Sequence, residues 1–568
     1  MPHSPYALPA IVVVILATLA IGAYGLRLAR TTSDFLVASR AVSPRWNAAA
    51  ISGEYLSAAS FLGVAGLVLK NGVDMLWYPV GFAAGYLALL LFVAAPLRRS
   101  GAFTLPDFCQ LRLRSRRLRK LAAGFVVFIG WLYLVPQMQG AGLTLQTVAG
   151  GPYGLGALVV AAVVTGNVAL GGMRAITFVQ AFQYWLKLTA LAVPVIFLLL
   201  HWQADGRPAM VTPEGQTFVS ATSVEVDHAA TLTLVEPTVI TVRGTLDRSP
   251  VDDTVLVPAG AHEVTAGTSL GFPAGARVPD VSGANAAGGL HWLLPGGQGS
   301  GGLFAAYSLI LATFLGTMGL PHVLVRFYTN PDGASARRST LVVLGLVGLF
   351  YLFPTMYGAL GRVYAPQLLM TGDTDAVVLV LPGAALGGGI AGQLLGALVA
   401  AGAFAAFLST SSGLLTSVAG VLSTDVVGRG SVRDFRIAAA VGGIVPLILA
   451  LRIAELDVSL VVGLAFAVAA SSFCPLLVLG IWWRGLTGVG AAVGVMTGGG
   501  AAVSAVLITV FGGPRPGWTG ALLSHPAAWT VPLAFAVMVG VSLATRHRVP
   551  ADVGQTMLRL HTPDGLRL

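Results

Sequence analysis

The sequence predicts an all-α polytopic membrane protein of about thirteen transmembrane helices, built around an inverted repeat of five helices. Three observations carry that prediction. Of the 568 residues 55% are hydrophobic and only 10% are Asp, Glu, Lys or Arg, against roughly a quarter charged in soluble domains. Apolar runs recur at the length of about 20 residues that a bilayer core requires. Two of these runs are interrupted by small, polar or helix-breaking residues. A soluble globular protein is excluded. Glycine, at 72 residues, is abundant, as it is where membrane helices approach closely or break. Two cysteines, Cys109 and Cys474, are too few for a disulfide framework or a metal site and read as free thiols.

The first run, 8–26, has no Lys or Arg before Arg27 and so lacks the positive region of a signal peptide. It is read as an extra helix in region 1–30, with its N-terminus outside. Runs at 46–69, 75–97, 121–149, 153–172 and 176–201 form a first block of five in region 31–202. Runs at 303–325, 340–361, 391–423, 437–451 and 458–483 form a second block in region 301–484. Two more helices, at 487–511 and 527–545, and a short cytoplasmic tail complete region 485–568.

Sidedness follows from the positive-inside rule. Counting from an outside N-terminus, the segments assigned to the cytoplasm hold 24 of the 33 Lys and Arg residues, most densely at Arg98, Arg99, Arg112, Arg114, Arg116, Arg117, Arg119 and Lys120. A net charge of +10 would suggest nucleic acid on a soluble surface; here it reads as topology. The long hydrophilic insert, 203–300, falls outside and carries ten acids against four arginines. The alternation Thr231-Leu232-Thr233-Leu234 and the run Thr238-Val239-Ile240-Thr241-Val242 predict a small β-rich cap of short strands, with a flexible spacer as the other reading. Helices two to six begin inside and seven to eleven outside. Each block has its long loop between its second and third helices, 98–120 inside and 362–390 outside. That arrangement is an inverted repeat.

The interruptions are Ile51-Ser52-Gly53-Glu54-Tyr55-Leu56-Ser57-Ala58-Ala59-Ser60 and Phe314-Leu315-Gly316-Thr317-Met318-Gly319-Leu320-Pro321-His322. A helix broken at membrane depth frees backbone groups that must line a cavity or find partners. Secondary transporters use such pairs to bind solute and ion near the midplane.

At these residues the chain resembles a known family. Ser33 to Gly66, with Asp34-Phe35, Ala38-Ser39-Arg40 and Ser57-Ala58-Ala59-Ser60-Phe61-Leu62-Gly63, is similar to the signature of the sodium/solute symporters. Ile51-Ser52-Gly53-Glu54-Tyr55, Gln137-Met138-Gln139-Gly140-Ala141-Gly142, Gly171-Gly172-Met173 and Leu315-Gly316-Thr317-Met318-Gly319-Leu320-Pro321-His322 resemble motifs of its cation/acetate (monocarboxylate) branch. The likeness covers about 30 to 545 outside the insert, with the motifs in order.

The resemblance implies a LeuT-like fold and a sodium ion held by the hydroxyls of Ser409 and Thr410 with the backbone carbonyls of Ala48, Ile51 and Ala406. Hard cations take oxygen ligands, and neutral ones suit weak, reversible binding. The alternative for Ser409-Thr410-Ser411-Ser412 is small-residue helix packing with hydroxyls bonded to their own backbone. A small carboxylate solute wants donors without a full buried countercharge, which half-helix N-termini supply. Its site is placed at Ser52, Gly53, Glu54, Tyr55, Gln137, Gln139, Gly316 and Thr317. Glu54, a carboxylate inside an apolar span, is functional by default, through cation entry or gating, or else bonds the unwound backbone. Lys187 is the other lone intramembrane charge, read as snorkelling or structurally paired ahead of solute binding. Gln180 stands where some family members carry an acid near the sodium exit path. His322, after Pro321, reads as a packing or cap residue.

The function so implied is import of short-chain monocarboxylates such as acetate, propionate or pyruvate, coupled to sodium by alternating access. The protein would be a multi-pass protein of the plasma membrane, the inner membrane of a bacterium, with solute, sodium and lipid as partners. Neither enzymatic activity, cofactor, transition metal nor nucleic acid is implied. Alternatives are sodium-coupled symport of proline, sugar or another small solute, and a proton-coupled monocarboxylate permease. A sensor or channel on the same fold is a different class, and sensors append a signalling domain where only about 23 residues follow the last helix here. There is no phosphate-binding glycine loop followed by Lys and Ser or Thr, so ATP hydrolysis is unsupported.

Overall fold

The computed structural model describes residues 4–26, 43–212, 215–226, 229–282, 289–295, 299–427, 431–453, 456–513 and 515–563. Among them twelve helices are long and apolar enough to cross a membrane. Of the sequence motifs, Asp34-Phe35 and Ala38-Ser39-Arg40 lie outside the described residues, as do Arg27, Arg30, Arg429, Arg567, Glu214 and Asp227.

Helix α1 is Ala7–Leu26. The second apolar run is two helices, α2 (Pro44–Tyr55) and α3 (Val64–Asn71), the latter entered through a π turn at Ala59–Gly63. From Ala59 the apolar run continues for 42 residues to Ser100, about twice what one crossing needs. Gly72 divides it. Its φ is +71, and a Cβ there would lie 1.9 Å from the Trp292 carbonyl oxygen, so only glycine fits. Helix α4 (Trp77–Ala88) opens the second arm.

The basic loop 98–120 contains a further helix, α5 (Leu105–Leu113), with Pro106 in its first turn and the Thr104 hydroxyl accepting from Asp107 N at 3.2 Å, both helix-start signals. Helix α6 (Arg116–Ala149) is capped by Ser115 and ends on left-handed Gly150. Helix α7 (Tyr153–Ala204) holds two spans, Tyr153–Gly171 and Ala175–Ala204.

The second half begins with α8 (Gly299–Gly319) and α9 (Pro321–Tyr328), parted at Leu320, whose ψ of 116° is extended. Then come α10 (Gly333–Tyr364), capped by Asp332, α11 (Val377–Leu386), α12 (Ile390–Val421) and α13 (Val432–Arg452), which starts in a Ser431–Asp434 capping box. They are followed by α14 (Val458–Trp482), α15 (Gly500–Gly512), α16 (Ala527–Ala544) and α17 (Val553–His561). Helix α11 lies within the stretch 362–390 that the sequence reading left as a loop. Met557 and Leu560 of α17 are buried.

The insert holds seven strands: β1 (Thr222–Val226), β2 (Ala230–Leu234), β3 (Thr238–Leu246), β4 (Ser249–Val257), β5 (Gly260–Val264), β6 (Thr268–Phe272) and β7 (Asp280–Val281). All pairings are antiparallel, in the order β1-β6-β3-β5-β2-β7 with β4 on β3. Leu232, Leu234, Ile240, Val242 and Leu270 bury their alternate side chains in a core of the sheet's own, joined by Met370.

Two sets of tertiary contacts mark the ends of the bundle. At one end Arg112 donates to the carbonyls of Gly480 and Trp483, Arg119 pairs with Asp107 and Asp425, Arg114 pairs with Asp552, and His561 meets Ile481 O. At the other, the Trp292 indole donates to Val68 O at 2.7 Å, Ser308 to His525 O at 2.7 Å and Tyr364 to Asp205 at 2.8 Å. Each set joins segments that the charge count put on one side.

Candidate cation and solute site

The break in α2 comes at Leu56, where ψ is 89° and the helical ladder stops. Ser52, Gly53 and Ser57 hold a helix weakly, and the backbone groups released there must be satisfied inside protein. Side chains from distant helices satisfy them. The Ala58 N–H donates to Gln137 Oε1 of α6 at 2.9 Å. Thr410 Oγ1 of α12 donates to Glu54 O at 2.6 Å. Ser409 Oγ lies 2.6 Å from Gly53 O and 3.0 Å from Ala406 O. Lys187 Nζ of α7 donates to Gly53 O at 2.5 Å, to Leu56 O at 2.7 Å and to Ser409 Oγ at 2.9 Å.

The Glu54 side chain faces the opposite way, into a second buried cluster. Arg326 of α9 pairs with its carboxylate, donates to Gln180 Oε1 and reaches Thr177 Oγ1 at 2.9 Å. The Gln180 amide donates to Ser409 O at 2.8 Å and to Glu54 at 3.4 Å. Glu54 and Arg326 are 2% and 1% exposed. Two glycines make room: a Cβ on Gly413 would lie 2.0 Å from Glu54 Oε1, and one on Gly53 would lie 2.2 Å from Gln180 O.

Toward the second break, Tyr55 OH and Thr317 Oγ1 are 2.9 Å apart, a direct contact between α2 and α8. Tyr55 sits edge-on to Tyr86 at 4.6 Å and to Phe82 at 5.7 Å, and Tyr133 edge-on to His322 at 5.3 Å and to Phe466 at 5.7 Å. Gly316 packs on α14, where a Cβ would lie 2.6 Å from Phe466 O. In this neighbourhood Ser52 Oγ, Tyr86 OH and both His322 ring nitrogens are buried without a hydrogen-bond partner among the described residues. Such groups are costly unless something else fills their valence.

A cavity of about 1080 Å³ opens at the end carrying Trp292 and is lined by Asp74, Tyr78, His291, Asp457 and His525 among others. Tyr78 leads from it to Phe82, which stacks on Tyr351 and tilts against Phe466 at 4.9 Å. This aromatic layer separates the vestibule from the Tyr55–Thr317 contact. Close by, Asp375 Oδ2 accepts from Val458 N at 3.1 Å. Burial first, then the neighbouring Asp457, pushes its carboxyl up to about 7.

The residues singled out in the sequence separate in the structure. Ala406, Ser409 and Thr410 meet Gly53, Glu54 and Leu56 at the break. Ala48 and Ile51 lie earlier, within the regular turns of α2, so the carbonyls gathered at the hydroxyls are those of Gly53 and Glu54. Tyr55 and Thr317 touch. Gln137 caps the break, whereas the Gln139 amide turns away to Ile453 O at 2.7 Å and Leu456 O at 3.3 Å. The sequence reading did not single out Arg326, which was one of the 24 basic residues assigned to the cytoplasmic side. Its signal was position: it stands four residues after His322 on a short helix whose every residue is buried. Gln180, which stands where some family members carry an acid, bridges both clusters.

A family model described as the sodium:solute symporter family matches residues 35–240 and 298–498. The chain belongs to the sodium:solute symporter family. The interval between the two matched stretches falls within the insert. This symporter is 30% identical to a monocarboxylic acid transporter of Corynebacterium glutamicum over 90% of its own length and 86% of the relative's. It is 27% identical to the uncharacterized symporter YwcA of Bacillus subtilis over 96% of each chain. Its fold is similar to that of a Na+-coupled sialic acid symporter solved in a substrate-bound outward-open state, with a TM-score of 0.61 at 13% identity, covering 94% of this chain and 98% of that one. A nucleobase-cation-symport-1 family transporter in a closed conformation aligns with a TM-score of 0.51 at 14% identity, covering 92% and 98%. The symporter is thus a multi-pass membrane protein with a LeuT-like helical fold, a transporter and not an enzyme.

Proposed function

We propose that this symporter imports short-chain monocarboxylates of the acetate, propionate and pyruvate class together with a monovalent cation. The observation that carries the reading is the Tyr55–Thr317 contact, which brings the two broken helices together in the neighbourhood of buried polar groups with no hydrogen-bond partner among the described residues: Ser52, Tyr86 and His322. A carboxylate bound there receives hydroxyl and imidazole N–H donors. It meets no free countercharge from Arg326, whose guanidinium is already held by Glu54 and Gln180, so release stays easy. The relative named as a monocarboxylic acid transporter supports the solute class.

The coupling ion acts at the break of α2, where carbonyls and the hydroxyls of Ser409 and Thr410 converge. Family membership favours sodium. A proton is the second reading, favoured by the position of Lys187. In the transport cycle, regions 31–202 and 301–484 act as the two five-helix repeats. Cation and solute bind beneath the vestibule, the aromatic layer of Phe82, Tyr351 and Phe466 stays closed above them, and the loaded core opens to the other face.

The test is uptake of labelled acetate, pyruvate and proline into proteoliposomes under an imposed sodium or proton gradient. Acetate and pyruvate are expected to accumulate and to compete with each other. Proline accumulation without acetate would overturn the solute class.

A further inference from the structure

The cation site of the symport reading is already filled, by the amino group of a lysine of the chain itself. Lys187 is fully buried, and its Nζ meets three oxygens: Gly53 O at 2.5 Å, Leu56 O at 2.7 Å and Ser409 Oγ at 2.9 Å. An ammonium has three N–H donors, and here each has one acceptor. A lysine that snorkels keeps its head in water; Lys187 instead carries its head into the break. Two of its acceptors are carbonyls that the break frees, and the third is the hydroxyl that the family resemblance assigns to sodium. With Nζ at these distances there is no space for a second cation among the same oxygens.

Among the described residues no carboxylate is in hydrogen-bond contact with this amino group. Helix α2 contributes Glu54, whose carboxylate is held by Arg326 from α9 on the far side of Gln180. Helix α12, which supplies Ser409 and Thr410, contains no Asp, Glu, Lys, Arg or His, and neither does α1. Among the described residues its hydrogen-bond partners are therefore neutral oxygens, and the Glu54 carboxylate acts on it only through space. Both of its protonation states can be satisfied there. As an ammonium it donates to all three oxygens, while the Ser409 hydroxyl turns to Gly53 O or Ala406 O. As an amine it donates to the two carbonyls and accepts from the Ser409 hydroxyl. The charged form holds the carbonyls more strongly, because charge-assisted hydrogen bonds are roughly twice as strong as neutral ones.

We propose that Lys187 is the coupling-ion site of this symporter: a proton carried on Lys187 takes the place of a sodium ion at the break of α2. The inference rests on the symport reading for the cycle in which it acts. Protonated Lys187 ties Gly53 and Leu56 to α12. Release of the proton to the opposite side loosens that tie and lets the two halves of α2 move relative to α12, which couples solute movement to the proton gradient.

The decisive measurement needs no solute. The purified full-length protein is melted in detergent with sodium chloride or choline chloride at equal ionic strength. The wild type is expected to melt at the same temperature in both. Lys187→Ala, which vacates the oxygens, is expected to gain about 3 °C in sodium, and Lys187→Arg, which keeps a cation in place, to gain nothing. A lysine that merely packs would not exchange its loss for sodium binding. In proteoliposomes free of sodium, an inward proton gradient is expected to drive labelled acetate accumulation by the wild type, and Lys187→Arg, whose guanidinium does not release its proton, to lose at least about tenfold of it. Sodium stabilisation of the wild type, or undiminished proton-driven accumulation by Lys187→Arg, overturns the proposal. If acetate is not carried under any gradient, the solute reading fails, and the melting comparison still decides the role of Lys187.

Discussion

At the scale of single residues, the polar core of this symporter is a set of reciprocal debts between a broken backbone and distant side chains. Gln137 answers one freed N–H, Thr410 and Ser409 answer two carbonyls, and Lys187 spans the gap between Gly53 and Leu56. Glu54 and Arg326 form a buried pair whose worth shows when it is broken. Arg326→Ala leaves a carboxylate with only the Gln180 amide, and removing one partner of a buried pair costs about 3–5 kcal/mol. The variant should melt well below the wild type in detergent, and adding Glu54→Gln should recover part of the loss. Asp375 gives a second residue-level expectation. Its folded carboxyl titrates near 7 because of burial and Asp457, above the ordinary value of about 3.9. A raised acid is stabilising in its neutral form: its contribution is complete below about pH 4 and is lost as pH rises through about 7. Melting temperature measured across that range should fall less steeply for Asp375→Asn than for the wild type.

At the scale of elements, the sequence was informative wherever a local property decides the outcome. Gly, Ser and Pro placed both interruptions, and the structure parts the helices at Leu56 and Leu320. Which carbonyls become available depends on where within the segment the ladder stops, and that is fixed by the partners waiting on α6, α7 and α12. Hence Gly53, Glu54 and Leu56 offer theirs, while Ala48 and Ile51 remain inside regular helix. Gln137 and Gln139 are two residues apart and so lie on different faces of α6; the motif alone does not say which face meets the break. The insert's strands were legible from their alternation at 231–234 and 238–242. Their sheet has its own core, and Val278 N donates to Gln216 O at 2.9 Å, so the chain enters and leaves the run of strands β1 to β6 side by side. Removing residues 217–277 and joining Gln216 to Val278 should therefore leave acetate uptake within about threefold of the full chain, as is usual for an insertion with adjacent ends. Loss of uptake would mean that the sheet takes part in transport.

At the scale of the whole molecule, the charges counted toward sidedness in the sequence also organise one end of the bundle. Arg112, Arg114 and Arg119 bind the C-terminal end of α14, the segment before α17 and Asp425, so residues counted as topological signals also tie distant segments together. The vestibule and the aromatic layer beneath it lie at the opposite end. Between the two lies the polar interior, where opening of one face and closing of the other must both act on α2. The uptake experiment therefore tests the assembled molecule: gradient, solute and ion are read together, and no single helix can reproduce the result.

By itself the sequence determined that this chain lives in a bilayer, where its helices break, and which segments share a side, because hydrophobic length, helix propensity and charge asymmetry are local or additive properties. It also presented Glu54, Ser409 and Thr410 through motif resemblance. Only the tertiary structure decided what fills the break. Lys187 lies 134 residues from Gly53 and 222 from Ser409 in the chain, and Arg326 lies 272 from Glu54. Whether a buried lysine reaches freed carbonyls is a matter of helix packing to within an ångström, which no periodicity or spacing records.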